Sequence, residues 1–285
     1  MENLKKFLII VNRTKDPDLA TAKEVESTIR ETGCLVTGIL QGDDLYEEGR
    51  VPDDLLLRSD AAIVLGGDGT IIHASHVMRH HPIPMIGVNL GTVGFLSDVP
   101  RNEIRGMVRR LTWGDYYLED RMLLEGIVHR EGKEEKYIAL NDAVFARKSL
   151  LRLIAVEIYL NGRLFDTTEA DGIIISSPTG STGYNLSAGG PIVSPSAEVL
   201  ILTPISPYSL SRRSVVFGSE DAITLKLVAK RENSENKAVV SFDGYDNIDL
   251  DVDDYVEVRA SRKHASLIRM TEKSMYEILR QKIGG

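Results

Sequence analysis

Four short apolar runs, separated by polar stretches, mark the first third of the chain. The runs are Phe7–Val11, Cys34–Leu40, Ala61–Leu65 and Met85–Asn89. Continuous apolar runs of this length are typical of strands that are buried on both faces. Asp18–Thr32 and Ile71–His80, which lie between runs, contain many helix-forming residues. The alternation predicts an α/β fold with an N-terminal doubly wound parallel-sheet domain.

The pattern changes near residue 115. From Tyr116 onward, the runs are short, rich in β-branched and aromatic residues, and divided by turn signals. Asn161-Gly162 between two such runs predicts a two-residue β-hairpin. We therefore predict a C-terminal all-β-rich domain over residues 116–261.

The first domain then covers residues 1–115 and is completed by residues 262–285. In that last segment, Thr271–Ile283 is amphipathic and begins with a threonine suited to an N-cap. We expect a C-terminal helix that packs back on the first domain.

Composition and charge narrow the classes of partner. The chain has 34 Lys and Arg against 42 Asp and Glu, a net charge of −8, which argues against nucleic acid. It has no apolar run of about 18 residues, so no membrane span is predicted. The single cysteine, Cys34, excludes a disulfide framework and fits a cytoplasmic protein.

The strand at 61–65 is followed by a glycine-rich turn, Gly66-Gly67-Asp68-Gly69-Thr70, and then by a predicted helix. Glycines let a backbone approach a ligand closely, and a helix N-terminus suits phosphate. Gly66, Gly67 and Thr70 are therefore candidate ligands for the phosphates of ATP. A carboxylate binds phosphate poorly, so Asp68 suggests catalysis by a base or contact with a metal. The alternative is a plain helix N-cap at Asp68.

A second glycine-rich turn follows the next strand, at residues 87–96. Carboxyl ends of neighbouring parallel strands lie at one edge of a sheet, where α/β proteins bind ligands. The two turns are therefore predicted to form one crevice.

The second domain contains an unusual segment between Glu169 and Pro195, with five serine and threonine hydroxyls between 176 and 182. Such density suits a surface that lies against sugar hydroxyls and phosphates, although a Ser/Gly-rich loop is the plainer interpretation. Asn141-Asp142 lies between two strand-like runs and is either a simple turn or a contact to ribose.

Cations are scarce in this part of the chain: no Lys or Arg occurs from 164 to 211. Phosphate charge would have to be met by backbone N–H groups, by a metal, or by residues elsewhere. We expect Mg²⁺ and backbone donors, more than lysines, to meet it. Six aspartates between 243 and 254 account for much of the acidity and are predicted to lie on a turn and strand edge.

Together these segments resemble the NAD kinase family. The matching motifs are GGDGT at 66–70, NLGTVGFL at 89–96, ND at 141–142 and DGIIISSPTGSTGYNLSAGGPI at 171–192. The last is the most specific, because lipid kinases and phosphofructokinases share GGDG.

The resemblance implies transfer of the γ-phosphoryl group of ATP to the 2′-hydroxyl of the adenosine ribose of NAD, with Asp68 as general base. It also implies Mg²⁺ carried on the ATP phosphates without a dedicated protein site, and a dimer or tetramer whose site is shared between subunits. The positions that match the family's NAD site are Gly69, His73, Asn141, Asp142, Arg152, Glu169, Asp171, Thr182, Gly183, Tyr184, Asn185, Leu186, Ser187 and Tyr245. Arg152, Glu169 and Tyr245 differ from residues common in relatives.

Two alternatives remain open at this point. One is another kinase with the GGDGT turn, acting on a lipid or sphingoid base. The other is a non-catalytic NAD(P)-binding regulatory module. The choices between ATP and polyphosphate as donor, and between NAD and NADH as acceptor, also stay open.

Overall fold

The computed structural model describes residues 3–41, 51–91, 94–97, 99–149, 152–209, 211–229, 237–270 and 279–280. The chain forms two compact units. Unit 1 comprises Met1–Asp120 and Ala265–Gly285, and unit 2 comprises Arg121–His264.

Unit 1 contains a parallel sheet. Its strands are β1 (Lys6–Val11), β2 (Leu35–Gln41), β3 (Ala61–Gly66), β4 (Met85–Asn89) and β5 (Val99–Pro100). Its helices are α1 (Ala20–Glu31), α2 (Asp53–Leu57), α3 (Asp68–Val77) and α4 (Ile104–Trp113), the last preceded by a 3-10 turn at Arg101–Glu103. The strand order is β2-β1-β3-β4, every pair is parallel, and β5 pairs with β4.

Helices cover both faces of this sheet. On one face, α1 and α4 pack on alternate strand residues such as Phe7, Ile9 and Ile63 in one buried cluster. On the other face, Ile71 of α3 lies against Gly87, where a Cβ would overlap its side chain. This confirms the predicted doubly wound α/β arrangement, because side chains of successive strand residues point to opposite faces.

The predicted helices are present with shifted ends. The helix expected at Asp18–Thr32 is α1, and the one expected at Ile71–His80 is α3, which begins three residues earlier. It begins early because Gly67 is extended and serves as its N-cap. It ends at Val77, before the His-His-Pro sequence whose proline disfavours helical backbone in the preceding residue.

Unit 2 is built from antiparallel strands. The strands that belong to it in full or in part are β6 (Tyr117–Arg130), β7 (Lys133–Ala139), β8 (Asp142–Arg147), β9 (Ile154–Leu160), β10 (Arg163–Ala170), β11 (Gly172–Ser176), β12 (Val199–Ile205), β13 (Val215–Gly218), β14 (Ala222–Val228), β15 (Ala238–Phe242), β16 (Asp246–Leu250) and β17 (Tyr255–Arg269). Strands β6 and β17 each continue into unit 1, where the end of β17 runs parallel to β4. A 3-10 turn at Thr179–Thr182 and the short helix α5 (Tyr184–Ser187) follow β11.

Two groups of strands supply the core of unit 2. One has the order β13-β12-β11-β8-β15-β16, and the other includes β10-β9-β14-β17. Side chains from both, including Phe145, Ile175, Phe242, Leu225 and Val258, form one buried cluster. The β-rich second domain is thus confirmed as a fold.

The hairpin predicted at Asn161-Gly162 joins β9 to β10. Both residues have positive φ, 51° and 76°, as a type I′ turn requires. The predicted C-terminal helix at Thr271–Ile283 lies outside the described residues, apart from 279–280. Within the part of the chain that the structure describes, every helix is too short or too polar to cross a bilayer.

Candidate active site

The turn after β3 is shaped by the packing of Thr70. A Cβ at Gly66 would overlap the Thr70 hydroxyl, so glycine is required there. That hydroxyl accepts hydrogen bonds from the Gly67 backbone N–H at 3.3 Å and from the Asn12 side-chain amide at 3.2 Å. The Thr70 side chain is therefore occupied in joining the turn to the end of β1.

The Asp68 carboxylate fastens the second glycine turn. Its oxygens accept hydrogen bonds from the backbone N–H groups of Phe95, Leu96 and Ser97 at 2.7, 3.0 and 3.1 Å, and from the Ser97 hydroxyl at 3.1 Å. A Cβ at Gly94 would overlap the carboxylate. The structure thus brings the two turns together at one sheet edge. Because Gly67 is the N-cap, Asp68 is the first residue of α3 and binds the neighbouring turn.

Space remains open beside this carboxylate. Asp68 is half-buried, Gly69 is exposed, and a Cβ at Gly69 would meet no atom within 4 Å. A ligand can therefore approach the start of α3, where N–H groups and the helix dipole favour negative charge.

One cation that the sequence reasoning did not select lies over these turns. A Cβ at Gly67 would lie 2.8 Å from the ammonium nitrogen of Lys15, and one at Gly91 would lie 3.4 Å from it. The expectation that lysines play little part at the phosphate turns is therefore revised. The available signal was position, because Lys15 follows the carboxyl end of β1, at the same edge of the sheet.

His73 lies on α3 but is enclosed, with 4% of its surface exposed. Burial, together with the nearby His76, lowers the pKa of His73 to about 4, so its imidazole is neutral at pH 7. Little of the ring is open to a ligand in this arrangement.

In unit 2, the Asn141-Asp142 pair lies on a turn held by Asp243. The Asp243 carboxylate accepts hydrogen bonds from the backbone N–H groups of Leu140, Asn141 and Asp142 at 2.6, 2.8 and 3.1 Å. Sequence reasoning grouped Asp243 with solvated aspartates of the acidic stretch. Its neighbours there are indeed at the surface, and Asp249 pairs with Lys148. The signal for Asp243 was the Asp-Gly turn directly after a buried strand.

These two aspartates are difficult to ionise. Burial, reinforced by the negative charge of Asp243, raises the pKa of Asp142 to about 7. Desolvation raises the pKa of Asp243 to about 6, against the opposing effect of its three backbone hydrogen bonds. Asn141 adds a buried side-chain oxygen with no hydrogen-bond partner among the described residues.

The serine-rich segment supports this turn from the other side. Ser176, Ser177 and Ser181 are fully buried, and Ser177 donates a hydrogen bond from its hydroxyl to the Leu140 carbonyl. A Cβ at Gly180 would overlap the Asn141 carbonyl oxygen. The expectation that these hydroxyls form a ligand surface is therefore wrong for the three serines, which bind the protein's own backbone.

The predicted run Thr182–Ser187 is mixed in exposure. Tyr184, Leu186 and Ser187 are exposed, and Thr182 and Gly183 are half-buried. Asn185 is fully buried, and its amide donates to the Ser181 and Pro191 carbonyls while its oxygen accepts from Thr203. The side chain of Asn185 therefore supports the loop from inside.

The predicted NAD residues of unit 2 fall into two groups. Asn141, Asp142 and the turn that carries Tyr245 lie at the start of β8, whereas Asp171 pairs with Arg147 at its end, Nε to Oδ1 2.6 Å. Five strand residues separate the two ends, roughly 17 Å. Glu169 lies in β10 near the second group, and Arg152 is exposed before β9.

No group of three or more His, Cys, Asp or Glu side chains suited to a metal ion occurs within the described ranges. At the start of α3, both Asp68 oxygens already accept protein hydrogen bonds. This donor set fits a metal that arrives bound to nucleotide phosphates.

Comparison with known proteins gives the same family along the whole chain. Residues 7–116 match the ATP-NAD kinase N-terminal domain, and residues 140–270 match the ATP-NAD kinase C-terminal domain. The chain is 38% identical over 288 residues to the NAD kinase of Lachnoclostridium phytofermentans, with 99% of each chain covered. It is 42% identical over 231 residues to that of Heliobacterium modesticaldum, covering 81% of this chain and 80% of the relative.

Solved structures agree. Yeast NADH kinase complexed with NADH superposes with a TM-score of 0.89 at 26% identity, covering 100% of this chain and 88% of that one. An NAD kinase from Archaeoglobus fulgidus in complex with ATP has a TM-score of 0.75 at 22% identity, with 98% of each chain covered, and shows the same fold. We conclude that this chain belongs to the ATP-NAD kinase family.

Proposed function

We propose that this protein transfers the γ-phosphoryl group of ATP to the 2′-hydroxyl of the adenosine ribose of NAD, forming NADP. The observation that carries the proposal is the Asp68 carboxylate. It is fixed by four hydrogen bonds at the edge of a parallel sheet, beside an open helix N-terminus, in a chain of this family.

In this proposal Asp68 accepts the proton of the ribose hydroxyl as the phosphoryl group is transferred. Backbone N–H groups at Gly66, Gly67 and Gly69, with Thr70 shaping the turn, bind the phosphates of ATP. Mg²⁺ enters with ATP and offsets phosphate charge.

NAD is proposed to bind the Asn141-Asp142 turn and the exposed members of Thr182–Ser187. The unpartnered Asn141 oxygen supports this, because a buried acceptor without a donor favours binding of a ligand hydroxyl. We keep Gly69, His73, Arg152, Glu169, Asp171 and Tyr245 as proposed NAD residues on the strength of the family motifs.

The two groups of predicted residues support a homo-oligomer. We propose that the Asp171 group serves the NAD site of a neighbouring subunit in a dimer or tetramer, and that the protein acts in the cytoplasm. Mixing Asp68→Asn and Asp171→Ala variants tests this, because subunit exchange would form some complete sites. Recovery of NADP formation is expected, and a mixture as inactive as its components would contradict sharing.

The function itself is tested by incubating the protein with NAD, ATP and Mg²⁺ and measuring NADP with an NADP-specific coupled enzyme. We expect NADP with wild type and a decrease of about 10²- to 10⁴-fold with Asp68→Asn. Ser97→Ala is the matched control, since it removes one hydrogen bond to Asp68 and keeps the carboxylate.

NADH serves as a second acceptor in the same assay, because the chain resembles yeast NADH kinase. NAD binding without NADP formation would instead indicate a regulatory module. Phosphorylation of a lipid or sphingoid base without NADP formation would indicate the other kinase class.

A further inference from the structure

Lys15 belongs to a loop that is held in place by its neighbours. The backbone N–H groups of Lys15 and Asp16 both donate to the Asn12 carbonyl at 3.0 Å. The buried Asp16 carboxylate accepts from the Thr21 and Ala22 N–H groups at 3.1 and 3.0 Å. The loop is therefore ordered before any ligand binds, which lowers the entropic cost of binding.

The loop is also tied to the glycine turn. Asn12 donates from its side chain to the Thr70 hydroxyl, and its backbone N–H donates to the Leu65 carbonyl at 2.9 Å. These bonds set the position of the Lys15 ammonium, next to Gly67 and Gly91.

The electrostatics of this position favour an anion. Lys15 has no ion pair among the described residues, and it lies near the positive end of α3. An ammonium group beside a helix N-terminus is unfavourable on its own, because both carry positive charge. A phosphate between them would be attracted by both.

Asn89 gives a second and independent indication. It is the last residue of β4, is aligned with Gly66 of β3, and is only 6% exposed. Its oxygen accepts from the Gly91 N–H at 2.7 Å, which fixes the amide, while its Nδ2 donor has no partner among the described residues. A buried N–H without an acceptor favours binding of a ligand oxygen.

We infer that Lys15 and Asn89, with the backbone around Gly67 and Gly91, form a subsite for the phosphate chain of the phosphoryl donor. The inference rests on the proposed function for the identity of the donor, and the shared chemistry is a chain of phosphates from ATP or from inorganic polyphosphate. Lys15 supplies the cation that unit 2 lacks between residues 164 and 211.

The test is the binding of ATP, inorganic tripolyphosphate, adenosine and NAD, each measured by calorimetry without turnover. Lys15→Met is expected to weaken ATP and tripolyphosphate binding by about 10- to 100-fold, since it removes a charge-assisted contact, and to leave NAD binding unchanged. Adenosine binding should be the same in both proteins. Lys15→Arg should retain most of the affinity for the phosphate chain.

Lys23→Met is the matched control, because Lys23 is an exposed lysine of α1 whose ammonium contacts only the Asp18 carbonyl among the described residues. Asn89→Asp keeps the acceptor for Gly91 but places a carboxylate oxygen where the free donor was, and should lower ATP affinity at least tenfold. Thermal unfolding of each variant verifies folding.

Binding of ATP and tripolyphosphate by Lys15→Met as tightly as by wild type would overturn the inference. So would a loss confined to NAD. Loss of ATP affinity without tripolyphosphate binding in wild type would restrict the subsite to ATP. If wild type binds ATP through Lys15 but forms no NADP, the subsite stands and the proposed function fails.

Discussion

Asp68 in unit 1 and Asp243 in unit 2 use the same device in different surroundings. Each carboxylate accepts three backbone hydrogen bonds from a turn that is distant in sequence, at 95–97 in one case and 140–142 in the other. Asp68 lies beside open space at Gly69. Asp243 is desolvated, and its pKa is raised to about 6.

The difference separates two roles. A carboxylate that is firmly held yet open to ligand is suited to react, whereas a desolvated one is suited to hold a neighbouring residue in place. We therefore assign reaction to Asp68 and positioning of Asn141-Asp142 to Asp243. The predictions below test that division.

The largest effect is expected for Asp243→Asn. Asparagine tolerates the positive φ of 51° at this position, but its NH₂ group cannot accept a hydrogen bond, so at least one N–H of the turn loses its acceptor. We expect the free energy of unfolding to fall by about 1–3 kcal/mol and KM for NAD to rise. Urea denaturation and steady-state kinetics measure both, and Asp249→Asn on the exposed face should change neither.

Gly94→Ala examines the opposite side of the comparison. The added methyl group would overlap the Asp68 carboxylate, which can move away and lose its hydrogen bonds. We expect kcat to fall at least about tenfold with little loss of stability. Gly106→Ala on α4, where a Cβ meets nothing within 4 Å, is the control. Full activity of Gly94→Ala would show that the hydrogen bonds to residues 95–97 do not matter for catalysis.

Gly180→Ala should behave in the reverse way. Its methyl group would overlap the Asn141 backbone, which cannot move aside without shifting the turn. We expect a loss of about 1–3 kcal/mol in stability and weaker NAD binding. Thermal unfolding provides the first measurement, and an unchanged melting temperature would contradict the close packing described for this turn.

The smallest effect is in the pH dependence of stability. Asp142 has a pKa near 7 in the folded protein and near 4 when unfolded, so the folded state binds more protons between these values and stability falls as pH rises from about 4 to 7. His73 has a folded pKa near 4 against about 6.5 unfolded, so its contribution rises over about pH 4 to 6.5. Asp142→Asn should remove the fall and His73→Gln the rise, in urea denaturation at several pH values. Difference curves of the same sign would contradict this assignment.

The sequence predicted the elements well because their patterns are local. The apolar runs that became β1, β3 and β4, and the Asn161-Gly162 hairpin, each carry their information within a few residues. The meeting of the two glycine turns followed from the geometry of parallel strands alone.

Side-chain partners were harder to predict, because they are set by tertiary structure. Asp243 contacts a turn about 100 residues earlier, and nothing near it in sequence distinguishes it from the solvated Asp249. Likewise, the composition of the serine-rich segment suggested a ligand surface. Only the fold shows that Ser176, Ser177 and Ser181 are buried against backbone.

The most direct test of the account is a comparison of kcat and KM for NAD in Asp68→Asn and Asp243→Asn, measured by NADP formation. If Asp68 reacts and Asp243 positions, Asp68→Asn should lose about 10²- to 10⁴-fold in kcat with KM for NAD little changed. Asp243→Asn should mainly raise KM for NAD. Equal losses in both parameters for the two variants, or near-normal kcat in Asp68→Asn, would contradict the division of roles.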